Sequence, residues 1–185
     1  MKYKISAYST ALFSTWINVE ELNLLIDAGD GLAAGLLQKS GKIKNVFITH
    51  PDRDHLGGLP QFLQLNSRNG LPKVYYPKDS GSFPALNNFL KKFDPHASLN
   101  TWTGIADKSR VEIKKNIEVE AIRNEHIKSP LEIHKSLSYK VFEIKNKLKP
   151  EFSFKPKDEI KHIVNRKGKD FITEKVESNI LSFSG

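Results

Sequence analysis

The tightest constraint on how this chain folds is the run from Val46 to Gly58. Val46-Phe47-Ile48 is apolar on both faces, as strands in the middle of a layered fold are. It passes directly into Thr49-His50-Pro51-Asp52-Arg53-Asp54-His55-Leu56-Gly57-Gly58. A loop rooted in a buried strand is held rigidly, so several of its side chains can converge on one point. Histidine offers neutral nitrogen ligands, and aspartate offers charged oxygen that can also orient a water. The plainer reading is a polar turn in which Asp52 and Asp54 cap the following helix, but two His and two Asp after an apolar strand are hard to explain by capping. With no cysteine in the chain, any metal is held by His, Asp and Glu, which suits zinc, manganese or iron.

Around this run the pattern alternates strands with helices. Tyr3, Ile5 and Ala7 alternate with polar residues as an opening strand. Trp16 to Val19 and Leu22 to Ile26 form a hairpin pair ending at Asp27, and Ala28-Gly29-Asp30-Gly31 makes a turn. Leu32 to Gln38 is a short helix, a second helix starts near Pro60, and Pro84 to Phe93 is a third, with Leu86, Phe89, Leu90 and Phe93 at helical spacing. Further strands are expected at Lys73 to Tyr76, Arg110 to Ile113, Ile117 to Ile122, Leu137 to Ile144 and Ile180 to Phe183. This is a layered α/β domain spanning 1–185. A dinucleotide fold is disfavoured because the third glycine of its fingerprint is absent after Gly29 and Gly31.

The motif resembles that of the metallo-β-lactamase superfamily, His-x-His-x-Asp-His followed by Gly-Gly. His50, Asp54 and His55 match it, and Asp52 stands where the second His is expected. The resemblance implies a four-layer αββα sandwich, here lacking its C-terminal part, and two divalent metal ions. His50, Asp52 and His126 would serve one ion, Asp54 and His55 the other. Zinc is the first expectation, with manganese or iron gaining ground at Asp52 because a carboxylate is the harder ligand. Leu24 to Gly29 resembles the strand-and-Asp element that props up the metal loop. His126, ahead of Ser136-Leu137-Ser138-Tyr139, is similar to the third motif and is preferred to His134, which sits in a loop-like run with Lys135. His96 and His162 read as loop and surface residues.

Within the superfamily the chain is most similar to the ribonuclease Z branch, whose members cut precursor tRNA. The implied function is a metal-dependent phosphodiesterase or endoribonuclease acting on RNA through a metal-activated water, with Asp54 as the catalytic group. The alternatives are a hydrolase of a small ester, lactam or cyclic nucleotide on the same fold, or a non-catalytic RNA-binding fragment. In the superfamily the residue after the glycine that Gly185 matches is a metal-bridging Asp. The chain is therefore expected to be a fragment, weak or inactive by itself, with apolar surface left uncovered and a tendency to form homodimers or otherwise self-associate.

Charge points the same way. The net charge is +8, which suits an anionic partner. The segment 145–169 carries nine Lys and Arg against three Asp and Glu. Lys147, Lys149, Lys155, Lys157, Arg166 and Lys167 are its candidate RNA-backbone contacts, although a solvated face explains a charge run equally well. No stretch resembles a signal peptide or reaches the roughly 20 apolar residues of a membrane span, so the expected location is the cytoplasm.

Overall fold

The computed structural model describes residues 2–95 and 99–184; His96 lies outside them. Six strands form the first sheet in sequence order: β1 (Ile5–Thr10), β2 (Ser14–Val19), β3 (Leu24–Ile26), β4 (Asn45–Phe47), β5 (Lys73–Pro77) and β6 (Thr101–Ile105). The first three are antiparallel, and β3 to β6 run parallel. Parallel neighbours need crossovers, and helices α1 (Leu32–Leu36), α2 (Arg53–Leu56), α3 (Leu59–Asn66) and α4 (Ser82–Phe93) lie in them.

Strand periodicity divides the side chains between two cores. Leu25, Val46 and Val74 lie in register and face the helices, packing with Leu32, Leu59, Phe62, Leu63 and Phe83. Their neighbours Ile26, Phe47 and Tyr75 point to the other side, against a second sheet. That sheet has the order β10-β9-β8-β7, from β7 (Arg110–Lys114), β8 (Ile117–Arg123), β9 (Leu137–Leu148) and β10 (Thr173–Phe183). Val119, Ala121, Tyr139 and Val141 of β8 and β9 fill the space between the sheets. Helices, sheet and sheet are thus three successive layers, in the order that the resemblance implies.

On the outer face of the second sheet, Glu118, Glu120 and Lys140 alternate with the inward Val119, Ala121 and Val141, and Phe142 lies beside Glu118. Arg110 reaches across this face, within 3.7 Å of Glu118 and 3.5 Å of Glu120, with its guanidinium 5.3 Å from the centre of the Phe142 ring and a hydrogen bond to Glu177 on β10. Large exposed apolar groups of the helical layer include Leu37 just after α1, Leu65 on α3 and the stacked Phe89 and Phe93 on α4.

Three strands differ most from the sequence reading. β6 was not anticipated: it is a mostly exposed edge strand interrupted by Gly104. β9 runs four residues past Ile144, and β10 starts well before Ile180. The two pair from Tyr139↔Phe183 out to Leu148↔Thr173. Lys145 and Lys147 therefore belong to a strand, and the true interruption is 149–172. It folds into a small cap with α5 (Lys157–Lys167) and α6 (Lys169–Ile172).

Candidate metal centre

The site is built from the carboxyl ends of β3 and β4, where parallel α/β sheets present their ligand-binding loops. Asp27 follows β3 directly and is 3% exposed. Its backbone is left-handed at φ 56, a conformation that Asp tolerates better than most residues. This turns its carboxylate under the next loop. There it accepts from the Thr49 backbone N–H at 2.7 Å, from the Thr49 hydroxyl at 2.9–3.0 Å and from His55 Nδ1 at 2.8 Å.

This hub orients both motif histidines. Because the Thr49 hydroxyl gives its one proton to Asp27, it accepts from His50 Nδ1, 2.9 Å away. His55 Nδ1 likewise donates to Asp27. Each ring is pinned from behind, and each Nε2 is turned toward a carboxylate: His50 toward Asp52 at 3.6 Å, His55 toward Asp54 at 3.5 Å. Metal-binding histidines are held in this way, with one nitrogen fixed and the other left to the ion. Asp52 occupies the position before α2 but makes no capping hydrogen bond, so the capping role weighed for it is not realised.

His126 completes the cluster from the other sheet. It lies in the loop between β8 and β9, with its ring centre 4.3 Å from that of His50. Asn124 Oδ1 accepts from the His126 backbone N–H at 3.1 Å, and buried Ser136 accepts from the Ile127 N–H at 3.1 Å. Ligand atoms of His50, Asp52 and His126 all lie within 4.8 Å of one another. His134 is elsewhere: its backbone N–H donates to the Asp79 carboxylate at 2.8 Å, and its carbonyl accepts from the Asp79 N–H at 3.2 Å. Thr49, Asn124 and Ser136 escaped the sequence reading as supports of the site. Only the place of Thr49 between the apolar strand and His50 hinted at its role.

Electrostatics suit a cation. Burial and the neighbouring His55 and His126 rings push His50 down to about 4, so it is neutral with a free lone pair at ordinary pH. Burial pulls His55 down too, but Asp27, Asp54 and Asp52 together outweigh it and raise its pKa. The carboxylates that favour a proton there also favour a metal ion. The donor set, nitrogen from His50, His55 and His126 and oxygen from Asp52 and Asp54, fits divalent ions of the zinc, manganese or iron kind.

Two glycines let the loops touch. Ala28 donates to the His55 carbonyl at 2.7 Å, and Gly58 donates to the Ala28 carbonyl at 2.8 Å. A Cβ at Gly58 would run into the Gly29 carbonyl, and one at Gly29 into the Asp54 carbonyl.

The basic residues lie at the other pole. Leu137, the first residue of β9, donates to the Thr49 carbonyl at 2.8 Å, beside His50. β9 then runs to Leu148, about 36 Å away at strand rise. Lys147 stands at that end. Lys149, Lys155, Lys157, Arg166 and Lys167 are in the cap beyond it. In a single chain none of the six adjoins the histidines. His162 also belongs to this cap, on α5.

This geometry agrees with comparison to known proteins. Residues 5–178 match the family described as "Anti-Pycsar protein Apyc1". The chain belongs to that family. Its Apyc1-type sequence is also 24% identical over 195 residues to the chloroplast tRNase Z of Arabidopsis thaliana, covering 99% of this chain and 49% of that protein. It is 33% identical over 81 residues to ribonuclease J of Mycoplasma genitalium, covering 43% of the chain and 13% of that protein. Among solved structures, human tRNase Z short form superposes with a TM-score of 0.53 at 18% identity, over 75% of this chain and 64% of that one. The metallo-β-lactamase fold protein YhfI of Bacillus subtilis gives 0.52 at 12%, over 75% and 58%. The Apyc1 family member described here thus has the metallo-β-lactamase fold. It spans about half the length of the tRNase Z it matches.

Proposed function

We propose that the protein is a metal-dependent hydrolase of phosphodiesters, with a nucleotide as its substrate. The observation that carries this reading is the convergence of His50, Asp52 and His126 from two sheets, beside the His55–Asp54 pair on its Asp27 anchor. Divalent ions bound there would neutralise phosphate charge and acidify a water. His50, Asp52 and His126 would hold one ion, Asp54 and His55 the other. Asp54, half-buried with its carboxylate 3.5 Å from His55 Nε2, would accept a hydrogen bond from the attacking water and aim it.

Two substrates fit this chemistry. A small cyclic nucleotide is favoured by the cavity of about 640 Å³ that opens at Asp54, within the usual range for small-molecule sites, and by the distance between the basic cap and the histidines. RNA cleavage of the ribonuclease Z type is favoured by similarity to tRNase Z along the whole chain and by the positive cap. A cap too far to act in its own chain could still steer RNA toward the site of a second copy.

The test is hydrolysis of a 3′,5′-cyclic nucleotide and of a precursor tRNA by protein loaded with zinc or manganese. Turnover should vanish with chelator and in His50→Ala and Asp54→Ala. Hydrolysis of neither substrate in the presence of either metal would overturn the proposal.

A further inference from the structure

Of the two loops that bring histidines to the candidate centre, the one carrying His126 has the harder task. It spans 124–136 and contains neither helix nor strand, so fixing it costs the conformational entropy of thirteen residues with no ladder to offset it. A ligand on such a loop is only as well placed as the ties that hold the loop down.

Those ties form a chain. Next to His126 they are short and neutral: Asn124 Oδ1 accepts from the His126 N–H, and Ser136 Oγ accepts from the Ile127 N–H. Farther along, the Arg123 guanidinium donates to the Ser129 carbonyl at 2.7 Å, and the Ser129 hydroxyl donates to the Ile133 carbonyl at 2.8 Å. At His134 the loop meets the other sheet. Asp79 Oδ2 accepts from the His134 backbone N–H at 2.8 Å, and the Asp79 N–H donates to the His134 carbonyl at 3.2 Å. A carboxylate makes the first of these a charge-assisted bond, about twice as strong as a neutral one.

The place of Asp79 gives this latch its meaning. It lies two residues past the end of β5, which pairs in parallel with β4. Asp27 follows β3, on the other flank of β4, and grips the His50–His55 loop through Thr49 and His55. Two acids on strands either side of β4 thus hold the two histidine loops. Asp27 acts on side chains, whereas Asp79 acts on backbone, at the opposite end of its loop from the histidine.

We infer that Asp79 is a positioning residue for His126, holding the 124–136 loop so that the ring stays beside His50. The inference rests on the metal-centre reading and adds a residue that lies outside the ligand set. It also says which part of His134 matters: the N–H and carbonyl, and not the imidazole.

Zinc affinity of the full chain, titrated against a competing chelator, tests this. Asp79 is exposed, so replacing it opens no core. Asp79→Ala should weaken zinc binding about tenfold, the scale of one lost charge-assisted hydrogen bond. Asp79→Asn, whose amide oxygen still accepts from the His134 N–H, should recover most of the loss. In a His126→Ala background the Asp79→Ala change should alter affinity less than twofold, because the two residues act as one unit. An equal loss in both backgrounds would make Asp79 a general stabiliser and overturn the inference, as would unchanged affinity in the single variant. If the wild type binds no zinc, the metal-centre reading fails, and amide exchange in the zinc-free chain decides the latch by itself. The Ile127 amide should then exchange about tenfold faster in Asp79→Ala than in wild type, and equal rates would reject the latch.

Discussion

Asp52 shows how one residue type can be read two ways until its partners are seen. An Asp before a helix is a common cap, yet here the carboxylate leaves the helix N–H groups alone and turns to His50. The four motif residues were legible because they crowd into six positions, and geometry brings them to one place. His126 was not legible from spacing, since it lies 71 residues beyond His55 in a loop with no regular pattern; only resemblance singled it out over His134. The structure draws a consequence from that choice. His126→Ala should lower zinc affinity at least tenfold, whereas His134→Ala should leave it within twofold, as measured by metal titration with a competing chelator. The reverse result would move the third-motif role to His134.

At the scale of elements, strands that line a core were readable, while most stretches that bury little were not. β4 and β8 declare themselves through Val46-Phe47 and through Ile117, Val119 and Ala121. β6 and the outer halves of β9 and β10 bury little, and they are held by backbone ladders that carry no side-chain signature. The crossing of the two metal loops had a fainter mark, the paired glycines. Gly58→Ala should destabilise the fold by about 2 kcal/mol, the usual cost of forcing an extra group into a packed site, because its Cβ meets backbone rather than a side chain that could move. Gly70→Ala, where a Cβ meets nothing but φ is +79, should cost about 1 kcal/mol. Thermal unfolding of the two variants checks the order. A Gly58→Ala protein as stable as wild type would mean that the loops can part without cost.

For the molecule as a whole, the two poles of β9 separate. One end holds the histidines and the other carries the cap, which supplies seven Lys and Arg between 149 and 172. Leu148 and Thr173 are ladder partners, so an Asn-Gly turn can replace the cap and close the hairpin. On the proposed function, the shortened protein should bind metal and turn over a small nucleotide as well as the parent chain does. Its affinity for RNA should fall, with a flatter dependence on salt because fewer phosphate contacts remain. Loss of small-nucleotide turnover in that variant would show that the cap reaches the centre after all. No described helix is long and apolar enough to cross a membrane, and the exposed Leu65, Phe89 and Phe93 mark the helical layer as the side to examine for self-association.

The bond from Leu137 to the Thr49 carbonyl joins residues far apart in the chain, and it sits next to His50, with Tyr139 donating to the Ile48 carbonyl at 2.6 Å just beneath. The candidate site that His50, Asp52 and His126 would offer an ion therefore does not exist in either sheet alone. It comes into being when the sheets dock, a late and slow event for contacts of such long range. Any affinity for metal is then also a force that draws the sheets together, since a ligand that binds only the docked state stabilises that state. Depleting the ion should loosen the seam between the sheets before it melts either one, so that amide exchange quickens first at Thr49, Leu137 and Tyr139. The same coupling would make metal supply during synthesis a determinant of how much of this protein reaches its native state.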